Sequence, residues 1–541
     1  MILNDSISVQ LGVFSPSRGA VGAAASQEAS WPSPDVGYGE LAVYPSGPMR
    51  WRRYFGFWYP HGEHTLHLSP TSVADVDGDG IPELIVSVHR ERWDLKVYDI
   101  LSGEEKLSVP DLYLHATVDL DGDGVAEIVA ATERIRTPRE FTELVIGRKV
   151  GSGWERLYEA EGCRLEHGPS PIWSPGFYGR NKDPRVPVVL QDGTGKELVL
   201  SQDLSGTGRA DAFLLVSGGP GEEWAVRRIT LDSQDGVRIL AAGRDKIIAS
   251  WSDGTMQVLD PEGRALSSWR CGSPFAGGVA VADIDGDGAN ELVFSDAKRH
   301  IVALSAPSEG TNGPRELWST DGWGIPAPHT YGPMPIIADL DGDGKKAVIS
   351  ACVGGDGGVA IQAIDYRGQA RWRTPVPGAV DTHLYPSITC ATVGDFDGDG
   401  LPDVYVSGRV AMTGNDASHS FVLRGRDGLL LWHNDASDPS LALHTLGPTA
   451  LATVADVDGD GADDVLLVAL DMCTALNGRD GSFLQPPVIA GEIWKQEAKD
   501  TQWTAYGTQL PVDLDSDGRV EVLMCASWGQ WGAWTMDRRL L

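Results

Sequence analysis

The sequence predicts an all-β chain, a single β-propeller of about eight four-stranded blades, with seven or nine as the alternatives. Three observations point there. A nine-residue acidic loop recurs eight times, each copy set between short apolar runs. The last five copies start at 283, 339, 395, 456 and 513, a near-constant spacing of 56, 56, 61 and 57 residues. Each interval holds four short runs rich in β-formers and no helical period, the pattern of a propeller blade.

Taken in order, residues 1–39 read as a partly irregular N-terminal segment and 40–541 as the propeller. One complete unit shows the four strands: Ile336-Ile337-Ala338, Ala347-Val348-Ile349-Ser350, Ala360-Ile361-Gln362-Ala363-Ile364 and Ala370-Arg371-Trp372-Arg373. Val237 to Arg270 reads as four strands without an acidic loop. The early spacings, 44, 84 and 80, are irregular, and the Asp203 region is open to sharing strands with the stretch after it. Trp269, Trp318, Trp372 and Trp432 recur in fourth strands, where they suit packing between blades. The last unit has only Val522–Cys525 and Ala533–Met536 after its inner strand. Its missing outer strands are expected from Glu40–Tyr44 and Arg50–Tyr54, a pairing of chain ends that closes the ring and removes exposed edges.

The loop chemistry names an ion. Ca²⁺ takes roughly six to eight oxygens in a tolerant geometry. Carboxylates at loop positions 1, 3, 5 and 9, with a carbonyl near 7, supply that shell, and glycines at 4 and 6 allow the turn. The expected ligands are Asp75, Asp77, Asp79 and Glu83; Asp119, Asp121, Asp123 and Glu127; Asp283, Asp285, Asp287 and Glu291; Asp339, Asp341 and Asp343; Asp395, Asp397, Asp399 and Asp403; Asp456, Asp458, Asp460 and Asp464; and Asp513, Asp515, Asp517 and Glu521. No His or Cys lies in the loops, which argues against zinc or copper. An EF-hand would need its last acid at position 12 and flanking helices; here the acid is at 9 and the flanks are β-rich. Two copies depart. Ala347 stands at position 9 of the Asp339 loop, which should weaken it, and Ser205 and Thr207 replace carboxylates in the Asp203 loop, which should keep the turn and lose the metal. In every loop the expected role of the ion is structural, replacing core that short strands cannot supply.

Charge follows from the same loops. Of 76 acidic residues, 27 are these candidate ligands, and the formal net charge is −32. Seven bound Ca²⁺ would leave about −18. The acidity therefore belongs largely to metal sites, and the chain lacks the basic face of a duplex nucleic-acid binder. No apolar run approaches the ~20 residues of a membrane span, and Met1-Ile2-Leu3-Asn4-Asp5-Ser6 does not open a signal peptide. The six cysteines are scattered and read as buried free thiols. Weak multi-calcium loops nevertheless favour a secreted or periplasmic address over the cytoplasm. A monomer is expected.

The Asp-x-Asp-Gly-Asp-Gly-x-x-Glu/Asp loops resemble those of the FG-GAP/VCBS repeat family, found in integrin α-subunit propellers and in many bacterial secreted proteins. The resemblance spans about 40–541. It implies the propeller fold and calcium, and it leaves function open among adhesins, sugar-binding modules and polysaccharide lyases.

Topology then separates two faces. The segment just before each innermost strand must lie opposite the calcium hairpin, near the axis. These segments carry His64, His329 with Tyr331, His383 with Tyr385, His444, and Tyr506. Loops after second strands return to that face with Arg90, Arg92, Arg134, Arg136, Arg409 and Lys298-Arg299-His300. Arg pairs bidentately with carboxylates, His and Tyr move protons near neutral pH, and Trp93, Trp323 and Trp503 offer stacking surfaces for sugar rings. A lyase acting on a uronate-containing polysaccharide needs such parts, and propeller lyases of the rhamnogalacturonan and ulvan types resemble this plan. Two readings compete with it. The repeated His-Thr-x-Gly-Pro can be a structural turn, and the same face can serve a non-catalytic glycan- or protein-binding, adhesion-type propeller.

Overall fold

A computed structural model describes most of the chain between Met49 and Thr535. Outside the described residues lie 1–48, 55–65, 166–187, 322–334, 376–389, 435–451, 490–507, 513–520 and 536–541, with shorter stretches between strands. Among the described residues every regular element is a β-strand, and the pairings are antiparallel. Eight sheets have four strands. A ninth has the same plan with its inner strand split into Leu66–His67 and Val73–Ala74, both paired to Glu83–His89. Among the described residues there are thus nine such sheets, eight of them four-stranded, within the expected range of seven to nine blades.

The first blade continues through Trp93–Asp99 and Glu105–Pro110. The second runs Leu112–Val118, Glu127–Arg134, Glu140–Val150 and Gly153–Ala160. The third comprises Val188–Gln191, Lys196–Gln202, Ala212–Ser217 and Ala225–Thr230, so the Asp203 region forms its own blade. The fourth, from Val237–Gly243 to Ala265–Arg270, is the unit without an acidic loop. The fifth to eighth begin with inner strands Phe275–Ala282, Ile336–Ala338, Cys390–Gly394 and Ala452–Ala455. In the ninth, Thr508–Val512, Glu521–Ala526 and Gln530–Thr535 take Met49–Tyr54 as their outermost strand, which brings the two ends of the described chain into one sheet.

The core lies between blades. Side chains alternate along a strand, so each sheet presents one apolar set to each neighbour. Val404 and Val406 pack with Ile349, Ile361 and Trp372 of the sixth blade, while the intervening Tyr405 packs with Val454 and Val465 of the eighth. The fourth-strand tryptophans bridge the same seams. The indole Nε1–H of Trp318 donates to the Tyr366 carbonyl (2.8 Å), that of Trp372 to Gly425 (2.7 Å) and that of Trp432 to Gly478 (2.5 Å), each one blade ahead. Trp269 meets Phe294 edge-on across its own seam. Two of these rings need a glycine opposite them, Gly368 for Trp318 and Gly428 for Trp372. Gly428 has φ +70°, and a Cβ there would lie 2.6 Å from Trp372 Cδ2.

One expected stacking surface is corrected. Trp93 is 5% exposed and sits edge-on against Tyr113 in the seam between the first and second blades. It shares the inward face of its strand with Leu95 and Val97, which binds it to the core rather than to a ligand.

Candidate metal centres

Each acidic loop joins an inner strand to the second strand of its blade, and its own backbone shapes it. Position 2 is apolar and buried (Val76, Leu120, Ile284, Leu340, Phe396, Val457), which anchors the loop in a seam. The position-1 carboxylate then folds the turn. Asp283 accepts the N–H of Gly286 (2.7 Å) and of Gly288 (2.9 Å), as Asp75, Asp395 and Asp456 do in their loops. Both glycines have positive φ, +79° and +89° in this loop. The position-9 acid closes the loop from below: Glu83, Glu127, Glu291 and Asp464 accept the N–H of position 2 at 3.0, 2.9, 2.9 and 3.1 Å. The third blade keeps this last bond, from Leu204 N–H to Asp211 (2.7 Å).

The loops of adjacent blades are tied to one another, which sets them on a common face. Position 8 of one loop donates its N–H to the opening of the loop before it: Ala126 to Asp75 O (2.8 Å), Lys346 to Ile284 O (2.9 Å) and Asp463 to Asp395 O (2.7 Å). Asp463 also accepts the Asp395 N–H at 2.8 Å.

Carboxylate oxygens converge in these loops. Those of Asp75, Asp77 and Glu83 lie within 4.8 Å of one another, as do those of Asp119, Asp121 and Glu127, of Asp283, Asp285 and Glu291, of Asp339, Asp341 and Asp343, and of Asp395, Asp397 and Asp403. Such groups can hold a metal ion. The position-9 acids are the deepest members, and Glu127 Oε1 and Asp403 Oδ2 are buried with no hydrogen-bond partner among the described residues. Burial, aided by the neighbouring loop carboxylates, pushes Glu127, Glu291 and Asp403 up to about 7 and Asp464 to about 8. A buried carboxyl with a vacant lone pair, surrounded by other carboxylates, calls for a cation, and an all-oxygen donor set suits a hard one. The residues at 119–127, 283–291, 395–403 and 456–464 fit Ca²⁺.

The loop at 75–83 differs. Lys106 Nζ lies 2.5 Å from Glu83 Oε1, 3.3 Å from Asp77 Oδ2 and 3.6 Å from Asp79 Oδ2. Lys149 Nζ, from the second blade, lies 2.5 Å from the same Asp77 oxygen. Burial would raise the Asp77 carboxyl, but Lys149 and Lys106 outweigh it and hold the group below its ordinary value. Burial likewise opposes the charge on Lys106, yet Glu83 and Asp77 raise the ammonium above its usual range. In the loop at 339–347, Ala347 is buried where the fifth ligand would come from, and Arg371 pairs with Asp341 at 2.6 Å. Asp513, Asp515 and Asp517 lie outside the described residues, and Glu521 is placed by its backbone alone, at the start of Glu521–Ala526.

Most residues expected on the opposite face fall outside the described residues: His64, His329, Tyr331, His383, Tyr385, His444, Tyr506, Arg90, Arg92, Arg136, Trp323 and Trp503. Arg134 ends the strand Glu127–Arg134, and Arg409 falls near the end of Asp403–Val410, both at the end remote from the acidic loop that precedes the strand. His300, expected on this face, is described there together with a partner that sequence reasoning missed, Asp296. Buried Asp296 accepts the His300 N–H at 2.8 Å and faces His300 Nδ1 at 3.1 Å, across the hairpin between second and third strands of the fifth blade. The Asp-x-x-x-His spacing was its only sequence signal.

Residues 339–406, from the sixth blade's loop through the seventh blade's loop and into its second strand, match the model of the FG-GAP-like repeat. This stretch carries the FG-GAP-like repeat. No curated protein matches the chain's sequence. Among solved structures it is similar to the rhamnogalacturonan lyase YesW, at 17% identity over 90% of this chain and 76% of that one, with a TM-score of 0.42. It is also similar to BamB from Moraxella catarrhalis (13%, 78% and 99%, 0.38) and to the Bacillus licheniformis rhamnogalacturonan lyase PL11 (16%, 65% and 67%, 0.33). Identities at this level carry no statement about activity. Among the described residues no helix is long and apolar enough to cross a membrane.

Proposed function

We propose that the FG-GAP-like loops hold Ca²⁺ as clamps on one face of a propeller spanning 40–541, and that the opposite face binds and cleaves a uronate-containing polysaccharide. The observation that carries this reading is the division between faces. Tied acidic loops occupy one set of strand ends, while Arg134, Arg409 and the Asp296–His300 pair belong to the other. In sequence, the segments with His329 and Tyr331, His383 and Tyr385, His444, and Tyr506 directly precede inner strands of the sixth to ninth blades, and His64 precedes that of the first.

The chemistry is β-elimination. An arginine from Arg90, Arg92, Arg134, Arg136 and Arg409 pairs with the uronate carboxylate and acidifies the C5 proton. A histidine or tyrosine takes that proton, the electron pair forms the C4–C5 double bond, and the C4–O bond breaks. A second group protonates the leaving oxygen. Trp323 and Trp503 are assigned to stacking on sugar rings. Such a chain belongs outside the cytoplasm, where calcium and polysaccharide are both present.

The test is to incubate the full chain, in calcium, with pectic, ulvan and glucuronan polysaccharides and follow the ultraviolet absorbance of the unsaturated uronate. A rise on one of them is the expected result. Binding without any rise returns the chain to a non-catalytic glycan-binding propeller, and neither binding nor cleavage overturns the proposal for this face.

A further inference from the structure

We propose that the acidic loop at 75–83 takes no divalent cation, because the Lys106 ammonium of the same blade occupies its metal position. This rests on the calcium reading of the sister loops and goes beyond it, since it makes one side chain per blade the determinant of whether that blade holds metal.

The side chain in question sits at a β-bulge. In the first blade Val97 pairs with Leu107 and Tyr98 with Glu105, which leaves Lys106 as the extra residue on the outermost strand. The same irregularity recurs at the same place in other blades. The extra residue is Leu157 in the second, Leu317 in the fifth and Leu431 in the seventh. All three of those blades have a loop with the full carboxylate set. A bulge re-aims the side chain it carries, and in the first blade it directs a four-carbon stem and its ammonium into the loop.

The resulting geometry is that of an occupied centre. Lys106 Nζ reaches oxygens of Glu83, Asp77 and Asp79, members of the ligand set at positions 9, 3 and 5, and also lies 3.4 Å from Asp99 Oδ2 at the adjoining turn. Calcium would need the Glu83 and Asp77 oxygens at roughly 2.3–2.6 Å, and a dication held there would face the ammonium at close range. Lys149 adds a second positive charge on Asp77. Elsewhere each cation reaches a single ligand carboxylate, as Arg426 does Asp399 at 3.7 Å and Arg479 does Asp460 at 3.1 Å. Lys196 meets Asp119 at 3.3 Å and Arg148 meets Asp123 at 3.5 Å. Among the described residues Asp283, Asp285, Asp287 and Glu291 form no ion pair.

The sixth blade provides an internal comparison. Its bulge residue is Arg371, which pairs with Asp341, and its loop also lacks the position-9 acid. Two independent departures at one blade suit a loop that has lost its need for metal. The first blade has kept all four acids and supplied the cation from within.

Counting calcium ions per chain by native mass spectrometry of the full protein tests this. Lys106→Leu, which installs the residue of the metal-fitted blades, is expected to bind one more ion than the unaltered chain. Arg371→Leu is expected to gain none, because Ala347 still leaves its loop one ligand short. Glu83→Gln is expected to leave the count unchanged, whereas Glu291→Gln lowers it by one. A loss of one ion in Glu83→Gln overturns the inference even if Lys106→Leu does not fold, and so does an unchanged count in folded Lys106→Leu. An unaltered chain that binds no calcium at all would instead overturn the calcium reading itself.

Discussion

Removing divalent cations with a chelator should invert the pH dependence of this protein's stability. In the metal-free chain, Glu127 and Glu291 titrate near 7, Asp403 near 7 and Asp464 near 8, because they are buried beside other carboxylates. Unfolded, such groups titrate at about 4. Between those values the folded state binds more protons than the unfolded state, so stability falls as pH rises. The contribution of each group is fully present below the unfolded value and is lost as pH passes through about 7 to 8. For Glu127 or Glu291 the displacement corresponds to roughly 3 kcal/mol at full ionisation, an order-of-magnitude figure.

With calcium present the balance reverses. The ion requires ionised ligands, so protons compete with it, and its occupancy grows over the same interval. At a hundredfold excess over its dissociation constant one site contributes about 2.7 kcal/mol. Urea midpoints measured from about pH 5 to 8 should therefore decline in chelator and rise or hold in calcium, with the gap widest at the alkaline end. The two halves of the argument fail separately. A chelated protein that becomes more stable with rising pH would refute the buried, uncompensated position-9 acids. Identical curves with and without calcium would refute the metal.

Three further outcomes are expected. Glu127→Gln should lower the calcium count by one, yet raise the urea midpoint of the chelated protein near pH 8, since it removes an uncompensated buried charge. Gly478→Ala should cost at least about 3 kcal/mol, seen as loss of soluble folded protein, because a Cβ there would fall well inside contact distance of the Asp463 carbonyl oxygen. Trp432→Phe keeps the ring in the seam but strands the Gly478 carbonyl, and should destabilise by about 1–2 kcal/mol in denaturant melts without altering the calcium count.

The parts of the fold legible in sequence were those encoded within a few residues. Acids at odd positions, glycines at 4 and 6 and one apolar residue at 2 specify a loop almost alone, because each contact in it spans at most seven residues. The fourth-strand tryptophans were legible for a related reason: a large ring recurring at one register of a repeat has only the neighbouring blade to bury against. The blade count was harder. Counting acidic loops counts blades only where each blade has one, and 203 to 283 spans a whole blade, Val237–Gly243 to Ala265–Arg270, that has none. Trp93 is expected as an exposed stacking surface, yet it alternates with Leu95 and Val97 on the buried face of its strand.

What set the loops apart was not local at all. Lys106 follows Glu83 by two strands and reaches it only because a bulge shifts the register between Val97 and Tyr98. Lys149 comes from the next blade and meets Asp77 72 positions back in the chain. A loop pattern that scores as a full calcium site can thus be neutralised by a residue whose effect depends on register, not on spacing. The reverse also holds. The third blade has lost two ligand carboxylates, yet it keeps the Leu204–Asp211 bond that the position-9 acid makes elsewhere. At Glu127 that acid shows two separable duties: one oxygen accepts the Leu120 N–H and closes the turn, and the other, buried without a hydrogen-bond partner among the described residues, waits for a cation. Sequence shows the first duty directly, whereas the second depends on which positive charge the neighbouring strands bring.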